Sequence, residues 1–256
     1  LSAYNPYTPE PGWYAISATS LRLGLHQADT VDLYAFFRPR RPDARAGYSI
    51  YLYHITYPAE TVVVREVVAG EPLYRLPPEA VGAAPGSRGQ IKWVLAPDVA
   101  VYPLGDGFAA ASIPGFQPVG ANFDNVMTLL GFVQDPPNPT PGALTQLTLY
   151  WQVGEQRMPT PAPARGAPLS AFVHLTAAGD AEAKAVQFDG WPTALRGLEP
   201  GDIIAQPVEL ALPADMPAGA YDLLAGLYSP QSWARLPVAD GGDAVQIGAW
   251  GVDDGQ

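Results

Sequence analysis

The side chains best suited to holding a ligand in this chain are aromatic. Sugar rings bind on exposed Trp or Tyr faces, which act as flat apolar platforms while nearby polar groups set orientation. Two groupings have that make-up: Asp189-Gly190-Trp191, and Tyr228 with Gln231 and Trp233. Both fall in expected loops, and loops on a rigid scaffold commonly carry binding residues. Trp191, Asp189, Trp233 and Tyr228 are therefore the carbohydrate-binding candidates. A competing account has these tryptophans tucked under their loops, capping the core. Trp13, Trp93 and Trp151 lie in expected strands and are assigned to the core.

Other chemistries lack parts. His174 stands in a strand beside Phe172, with His54 and His26 elsewhere, and this is not a metal-ligand spacing. A strand histidine hydrogen-bonded at a sheet surface accounts for His174. Asp240-Gly241-Gly242-Asp243 could offer oxygen ligands to calcium, which favours carboxylates and carbonyls on flexible loops. A hairpin turn explains the same residues without a metal, and no other cofactor is implied. A serine hydrolase would need a nucleophile in a strained turn, and no G-x-S-x-G is present. A glycosidase needs two carboxylates across a bond, for which Asp189, Glu199, Asp202 and Glu209 are candidates. Each sits near Pro or Gly, and Glu199-Pro200-Gly201-Asp202 has the composition of a reverse turn. No catalytic centre is expected in this segment.

Composition narrows the class. The chain has 256 residues, a formal charge of −11 and only 14 Lys or Arg. Nucleic acid and anionic lipid both demand a basic footprint, so neither is an expected partner. There is no cysteine, which excludes disulfides, thiolate metal sites and cysteine nucleophiles. Proline numbers 29, roughly twice the average usage of about 5 %, and it disfavours long helices because it lacks an N–H and clashes with the preceding turn. Many short strands joined by Pro/Gly turns follow from that. No apolar run approaches the ~20 residues of a membrane helix. The chain opens at Leu1 without methionine or leader, so a piece of a longer polypeptide is expected.

These candidates must be positioned by the elements around them. The fold expected is mostly β: an α+β module over 1–119, then an antiparallel β-sandwich over 120–256, of jelly-roll or immunoglobulin-like type. In the first module, Trp13 to Thr19, Tyr48 to Ile55, Thr61 to Val68, Gln90 to Leu95, Val99 to Tyr102 and Phe108 to Ile113 read as strands. Asp29 to Phe37 reads as a short helix with an acidic first turn, stopped by the Arg38-Pro39-Arg40-Arg41-Pro42 cluster, and Pro77 to Val81 as a helix of one or two turns. Ile113 to Gly120 marks the joint. Beyond it the alternation is clear: Leu147, Leu149, Trp151 and Val153 share one face, with Thr148, Tyr150 and Gln152 on a more polar one. Leu169 to Thr176 alternates likewise, Val208, Leu210 and Leu212 share a face, and so do Tyr221, Leu223, Ala225 and Leu227. Period-2 patterning punctuated by turns is what two packed sheets produce. Met158 to Ala164 reads as an extended loop.

Certain segments also resemble a known family. Gly12-Trp13-Tyr14-Ala15-Ile16-Ser17-Ala18-Thr19-Ser20-Leu21, Tyr34-Ala35-Phe36-Phe37-Arg38 and Ala46-Gly47-Tyr48-Ser49-Ile50-Tyr51-Leu52-Tyr53 occur in that order. They resemble the extracytoplasmic C-terminal region of bacterial polytopic glycosyltransferases of the dolichyl-phosphate-mannose/protein O-mannosyltransferase type. Leu147-Thr148-Leu149-Tyr150-Trp151, Phe172-Val173-His174-Leu175 and Leu212 to Tyr221 look similar to the sandwich that closes such chains. In that family, membrane helices and an acidic residue of an early extracytoplasmic loop carry out transfer from a polyprenyl-phosphate sugar, and neither is in this sequence. The resemblance thus implies a non-catalytic region at the extracytoplasmic face of the membrane. Its partners would be the membrane-embedded remainder of the same polypeptide and a glycan or lipid-linked sugar. The alternatives are a structural or protein-interaction sandwich of the cell envelope and a free-standing carbohydrate-binding protein.

Overall fold

The computed structural model describes residues 5–23, 32–69, 86–94, 98–156, 169–190, 195–196, 198–230 and 232–252. Trp191, His26, the Pro77–Val81 helix, the Met158–Ala164 loop and the Trp93 side chain lie outside that description. The chain divides into two compact units, one of Leu1–Pro97 with Leu195–Leu198, the other of Asp98–Ala194 with Glu199–Gln256.

In the first unit, β1 (Gly12–Ser17), β2 (Ala44–Ala46) and β3 (Ile50–Ile55) form an antiparallel sheet ordered β1-β3-β2. Alternation sends Tyr14 and Ile16 of β1, and Tyr51, Tyr53 and Ile55 of β3, onto Phe37, which is fully buried. The opposite face carries Trp13, paired with His54, and the row Ala15–Leu52–Ala44. Trp13 is 63 % exposed, so the expectation that it is core is corrected: it stands on the side of the sheet away from Phe37. A second sheet joins β4 (Val62–Ala69) in parallel to β5 (Ser87–Val94), with β12 (Leu195–Arg196) on the other edge of β5. Buried Asn5 ties the proline-rich lead to β5, donating from Nδ2 to the Gly89 carbonyl at 3.0 Å.

Local chemistry moved two expected elements. The first strand ends at Ser17, whose Oγ accepts the Ser20 N–H at 2.9 Å and so caps a short helix, α1 (Ala18–Leu23). Within the expected Asp29–Phe37 helix, the described part is a series of turns. Asp32 Oδ1 takes the Tyr34 N–H at 3.0 Å, and Phe37 N–H bonds Tyr34 O at 2.9 Å. An aspartate that hydrogen-bonds its own following backbone competes with helix, and Pro39 then ends the run.

The second unit is an antiparallel β-sandwich. One sheet has five strands, β6 (Ala100–Tyr102), β7 (Gln117–Phe123), β8 (Met127–Asp135), β9 (Leu144–Val153) and β13 (Ile203–Ala211), in the order β6-β13-β9-β8-β7. The other has four, β10 (Ser170–Ala177), β11 (Lys184–Asp189), β14 (Gly219–Tyr228) and β15 (Val245–Val252), in the order β11-β10-β14-β15. Leu129, Leu149, Trp151 and Ile204 of the first sheet and Ala171, Val173, Leu223 and Leu227 of the second have no exposed surface. Those residues build the core that the period-2 pattern required. Two indole N–H groups of the sandwich are paired: Trp151 Nε1 donates to Gln206 Oε1 at 3.0 Å, and Trp250 Nε1 of β15 donates to Gln134 Oε1 of β8 at 3.1 Å.

Three sequence readings change here. Val99–Tyr102 supplies β6, which pairs with β13 inside the sandwich sheet. Gln117–Gly120, expected at a joint, already begins β7, where Pro118 is tolerated because β7 is an edge strand. Phe108–Ile113 is not a strand. It contains a single 3-10 turn at Ala110–Ser112 and sets Phe108 and Ile113, with Phe116 beyond, over the outer face of the five-stranded sheet.

Candidate functional site

The outer face of the four-stranded sheet gathers most of the chemistry-bearing residues. Cross-strand register puts Asp189, Phe172 and Gly226 in one row, and Gln187, His174 and Leu224 in the next. Gly226 has a structural task in this row. A Cβ there would lie 2.3 Å from the Phe172 ring, so only glycine lets that ring lie across β14. Beyond Tyr228 the chain turns back through a tight hairpin. Ser229 N–H bonds Ala234 O at 2.9 Å, Leu236 N–H bonds Leu227 O at 2.8 Å, and Tyr228 and Arg235 face each other across a bridge. Arg235 is thereby laid over the Phe172 ring, guanidinium carbon 4.6 Å from its centroid, and its Nη1 meets Asp243 Oδ1 at 3.1 Å.

Trp233 occupies the turn. Its N–H bonds Ser229 O at 2.7 Å, and its backbone takes φ 61°, a left-handed conformation that costs a non-glycine residue roughly 1–2 kcal/mol. The indole stacks on the Tyr228 ring at 5.6 Å between centroids and 10° between planes. It is nonetheless 74 % exposed, so the ring face turned away from Tyr228 is open to solvent. At that exposure the ring is not tucked under its loop. Tyr228 is buried behind it and holds it in place.

On the far side of Phe172 from Tyr228 lies a buried imidazole. His174 is 4 % exposed and packs against Phe172 at 4.6 Å, and its Nε2 is 3.6 Å from Asp189 Oδ2 with no hydrogen-bond partner. The expectation of a hydrogen-bonded histidine at a sheet surface is therefore corrected. β10 is buried on both of its faces, and the separation from Asp189 exceeds a hydrogen bond. Burial holds the imidazole below its ordinary pKa, with Lys184 and Arg235 adding to the effect and Asp189 opposing it. His174 is neutral at pH 7, and one ring nitrogen looks for a partner.

Of the sequence candidates, Tyr228 and Trp233 are brought into direct contact, and Asp189 joins through His174 and Phe172. Asp243 is engaged by Arg235, and Asp240 sits exposed in the preceding turn. Among the described residues, no three His, Asp or Glu side chains cluster as a metal site would require. Asp202 is fully buried as the anchor of the expected reverse turn: Oδ1 takes the Leu104 N–H at 2.9 Å and Oδ2 the Glu199 N–H at 2.8 Å. The sequence reading missed Phe172 and Arg235 as site residues. Phe172 could have been flagged by the glycine opposite it only once the register was known, and Arg235 carries no local signal.

No protein-family model and no curated protein matches the chain. Among solved structures it is similar to the C-terminal domain of Wzt, with 12 % identity and a TM-score of 0.36, over 57 % of this chain and 86 % of that one. A likeness of that extent carries no argument about ligand or partner. No helix of the described residues is long and apolar enough to cross a membrane.

Proposed function

We propose that the sandwich binds carbohydrate, and that the chain is a non-catalytic extracytoplasmic accessory region of a membrane glycosyltransferase that uses a polyprenyl-phosphate sugar. In this reading the rest of the same polypeptide carries the membrane helices and the transfer chemistry. The segment described here positions the acceptor glycan or stabilises the transferase.

The observation that carries the binding part is Trp233. A large apolar ring is held in the open at φ 61° and backed by Tyr228. Conformational strain at an exposed residue persists where the surroundings over-determine it, and such positions cluster at ligand sites. A pyranose can stack its C–H face on the free side of the indole. The carboxylates of Asp189 and Asp243 and the Arg235 guanidinium supply the kinds of polar group that hydroxyls pair with. The extracytoplasmic and glycosyltransferase part rests on the sequence resemblance.

The test is titration of the chain against a panel of soluble polysaccharides and a water-soluble lipid-linked sugar analogue, followed by intrinsic tryptophan fluorescence. Saturable binding is expected, and it is lost in Trp233→Ala. That substitution should cost only about 1 kcal/mol of stability, the size of one aromatic contact. No saturable signal across the panel, or binding indifferent to Trp233→Ala, overturns the reading. Multiple apolar segments of ~20 residues in the same reading frame would support the membrane assignment. A signal peptide directly upstream of Leu1 would sink it.

A further inference from the structure

The stacked pair of Trp233 and Tyr228 has a counterpart in the first unit. Trp13 of β1 lies on the ring of His54, its partner across the strand pair, at 4.6 Å between centroids and 14° between planes. Like Trp233 it is mostly exposed, so each indole is backed by a ring on one side and open to solvent on the other. We infer that the Trp13–His54 pair is a second carbohydrate platform, on which a neutral polysaccharide chain lies flat. The ligand class rests on the carbohydrate reading of the sandwich, and the location on the geometry of the first unit alone.

Three observations converge on that. The first is pre-organisation: an indole already stacked on its neighbour has little freedom left to lose when a ligand covers its other side. The second is the floor around it. The next cross-strand row on the same face is Ala15–Leu52–Ala44, two residues or about 7 Å along the strands. Ala15 and Ala44 are exposed and Leu52 is half-buried. Methyl groups stand lower than an indole, so a chain lying over this row still reaches the Trp13 ring. Neither row contains a carboxylate, an ammonium or a guanidinium, and in a protein of charge −11 such a strip suits an uncharged ligand. The third is the supply of polar groups at one end. His54 also lines an open cavity of about 340 Å³, together with Asp43 and Thr56. Asp43 Oδ2 accepts the His54 backbone N–H at 2.7 Å, which fixes that carboxylate against β3. A carboxylate, a hydroxyl and an imidazole are groups with which sugar hydroxyls pair.

A protein partner is served by several large side chains clustered in one patch. Here a single ring rises from alanines, which fits a ligand that is itself a flat ring with an apolar C–H face and a polar edge. Two platforms on one chain also have a consequence for affinity. A polysaccharide long enough to reach both is held at the second by effective concentration, and loss of either platform forfeits that gain. A short oligosaccharide, held at one platform at a time, binds more weakly.

The experiment is isothermal titration of the whole chain with hydroxyethylcellulose and glucomannan, with polygalacturonate as the anionic control. Saturable binding of at least one neutral polymer is expected, and none of polygalacturonate. Trp13→Ala should weaken the neutral polymer about tenfold or more, while Trp13→Tyr, which keeps a ring on His54, should retain most of the binding. Ala15→Glu leaves the indole in place and sets a charge on the strip, and it should weaken binding as well. Trp13 and Ala15 are both exposed, so neither change should lower the unfolding midpoint appreciably. Binding that is lost in Trp233→Ala but indifferent to Trp13→Ala and Ala15→Glu overturns the inference and leaves the sandwich reading standing. Loss in Trp13→Ala with none in Trp233→Ala does the reverse. Self-association that Trp13→Ala abolishes, without polymer binding, assigns the strip to a second copy of the chain and also overturns the inference.

Discussion

The two outer faces of the sandwich are built on the same device and put to opposite ends. On the five-stranded sheet the Phe116 ring sits over Gly131, where a Cβ would come within 2.4 Å of it. On the four-stranded sheet Phe172 sits over Gly226 in the same way, at 2.3 Å. In each case a strand glycine gives up its side chain so that an aromatic ring can lie on the backbone. What covers the rings differs. Phe116 joins Phe108 against Tyr150, at 5.5 and 5.4 Å from that ring, and the two rings bury it. Burial accordingly pushes the Tyr150 phenol above its ordinary pKa. Phe172 is covered instead by the Arg235 guanidinium, with His174 beside it and Trp233 standing out beyond Tyr228. One face is closed by the chain's own apolar segment. The other is left with charge and an exposed indole, and these are the features a ligand can use.

The largest effect should come from opening the closed face. Tyr150 is 7 % exposed, so Tyr150→Ala should cost about 3–5 kcal/mol in urea unfolding while leaving carbohydrate binding in place. A loss below about 1 kcal/mol would mean that the 98–116 segment does not pack as a true cover. The two glycine seats come next. Gly131→Ala and Gly226→Ala should each cost about 1–3 kcal/mol, since each methyl forces an aromatic ring off the sheet. Only Gly226→Ala should also weaken carbohydrate binding, because Arg235 rides on the displaced ring. Equal binding in the two variants would erase the functional distinction between the faces.

The smallest effect concerns pH. The folded pKa of His174 is lowered, chiefly by burial, so below its unfolded value of about 6.5 the unfolded chain binds the proton more readily than the folded one. The contribution of His174 to stability is complete above that pH and is lost as pH falls through the window between the unfolded and folded values. Comparing urea midpoints at pH 7.5 and 5.5 should show a smaller acid loss in His174→Gln than in the parent chain. An identical acid loss would place the titration elsewhere.

Much of the fold was legible because strand periodicity depends on nearest neighbours alone. Leu147, Leu149 and Trp151 declare a shared face whatever lies opposite, and a β-rich architecture follows from proline density and alternation together. The same pattern, which put Tyr150 with Thr148 and Gln152 on the more polar face, gave no sign that Tyr150 would be buried, and it misplaced Trp13 in the core. Alternation says which residues share a side of a sheet, but not whether a distant segment will cover that side. Segment 98–116 covers Tyr150, and nothing among the described residues of its unit covers Trp13. The candidate site shows the same limit. Trp233 was legible as a loop aromatic, with Tyr228, which ends β14, five residues before it. Their joining to Phe172, His174, Asp189 and Arg235 required the register of β10 with β11 and β14.

By itself, then, the sequence determined the strands, the lack of cysteine chemistry, the acidic charge and the aromatic candidates, all of which are properties of composition and local spacing. Tertiary structure alone decided which outer face stays open. It also decided that Trp13 stacks on His54, and that His174 is buried without a partner. Those outcomes depend on contacts between segments far apart in the chain, and the free energy of such contacts is invisible to any local pattern.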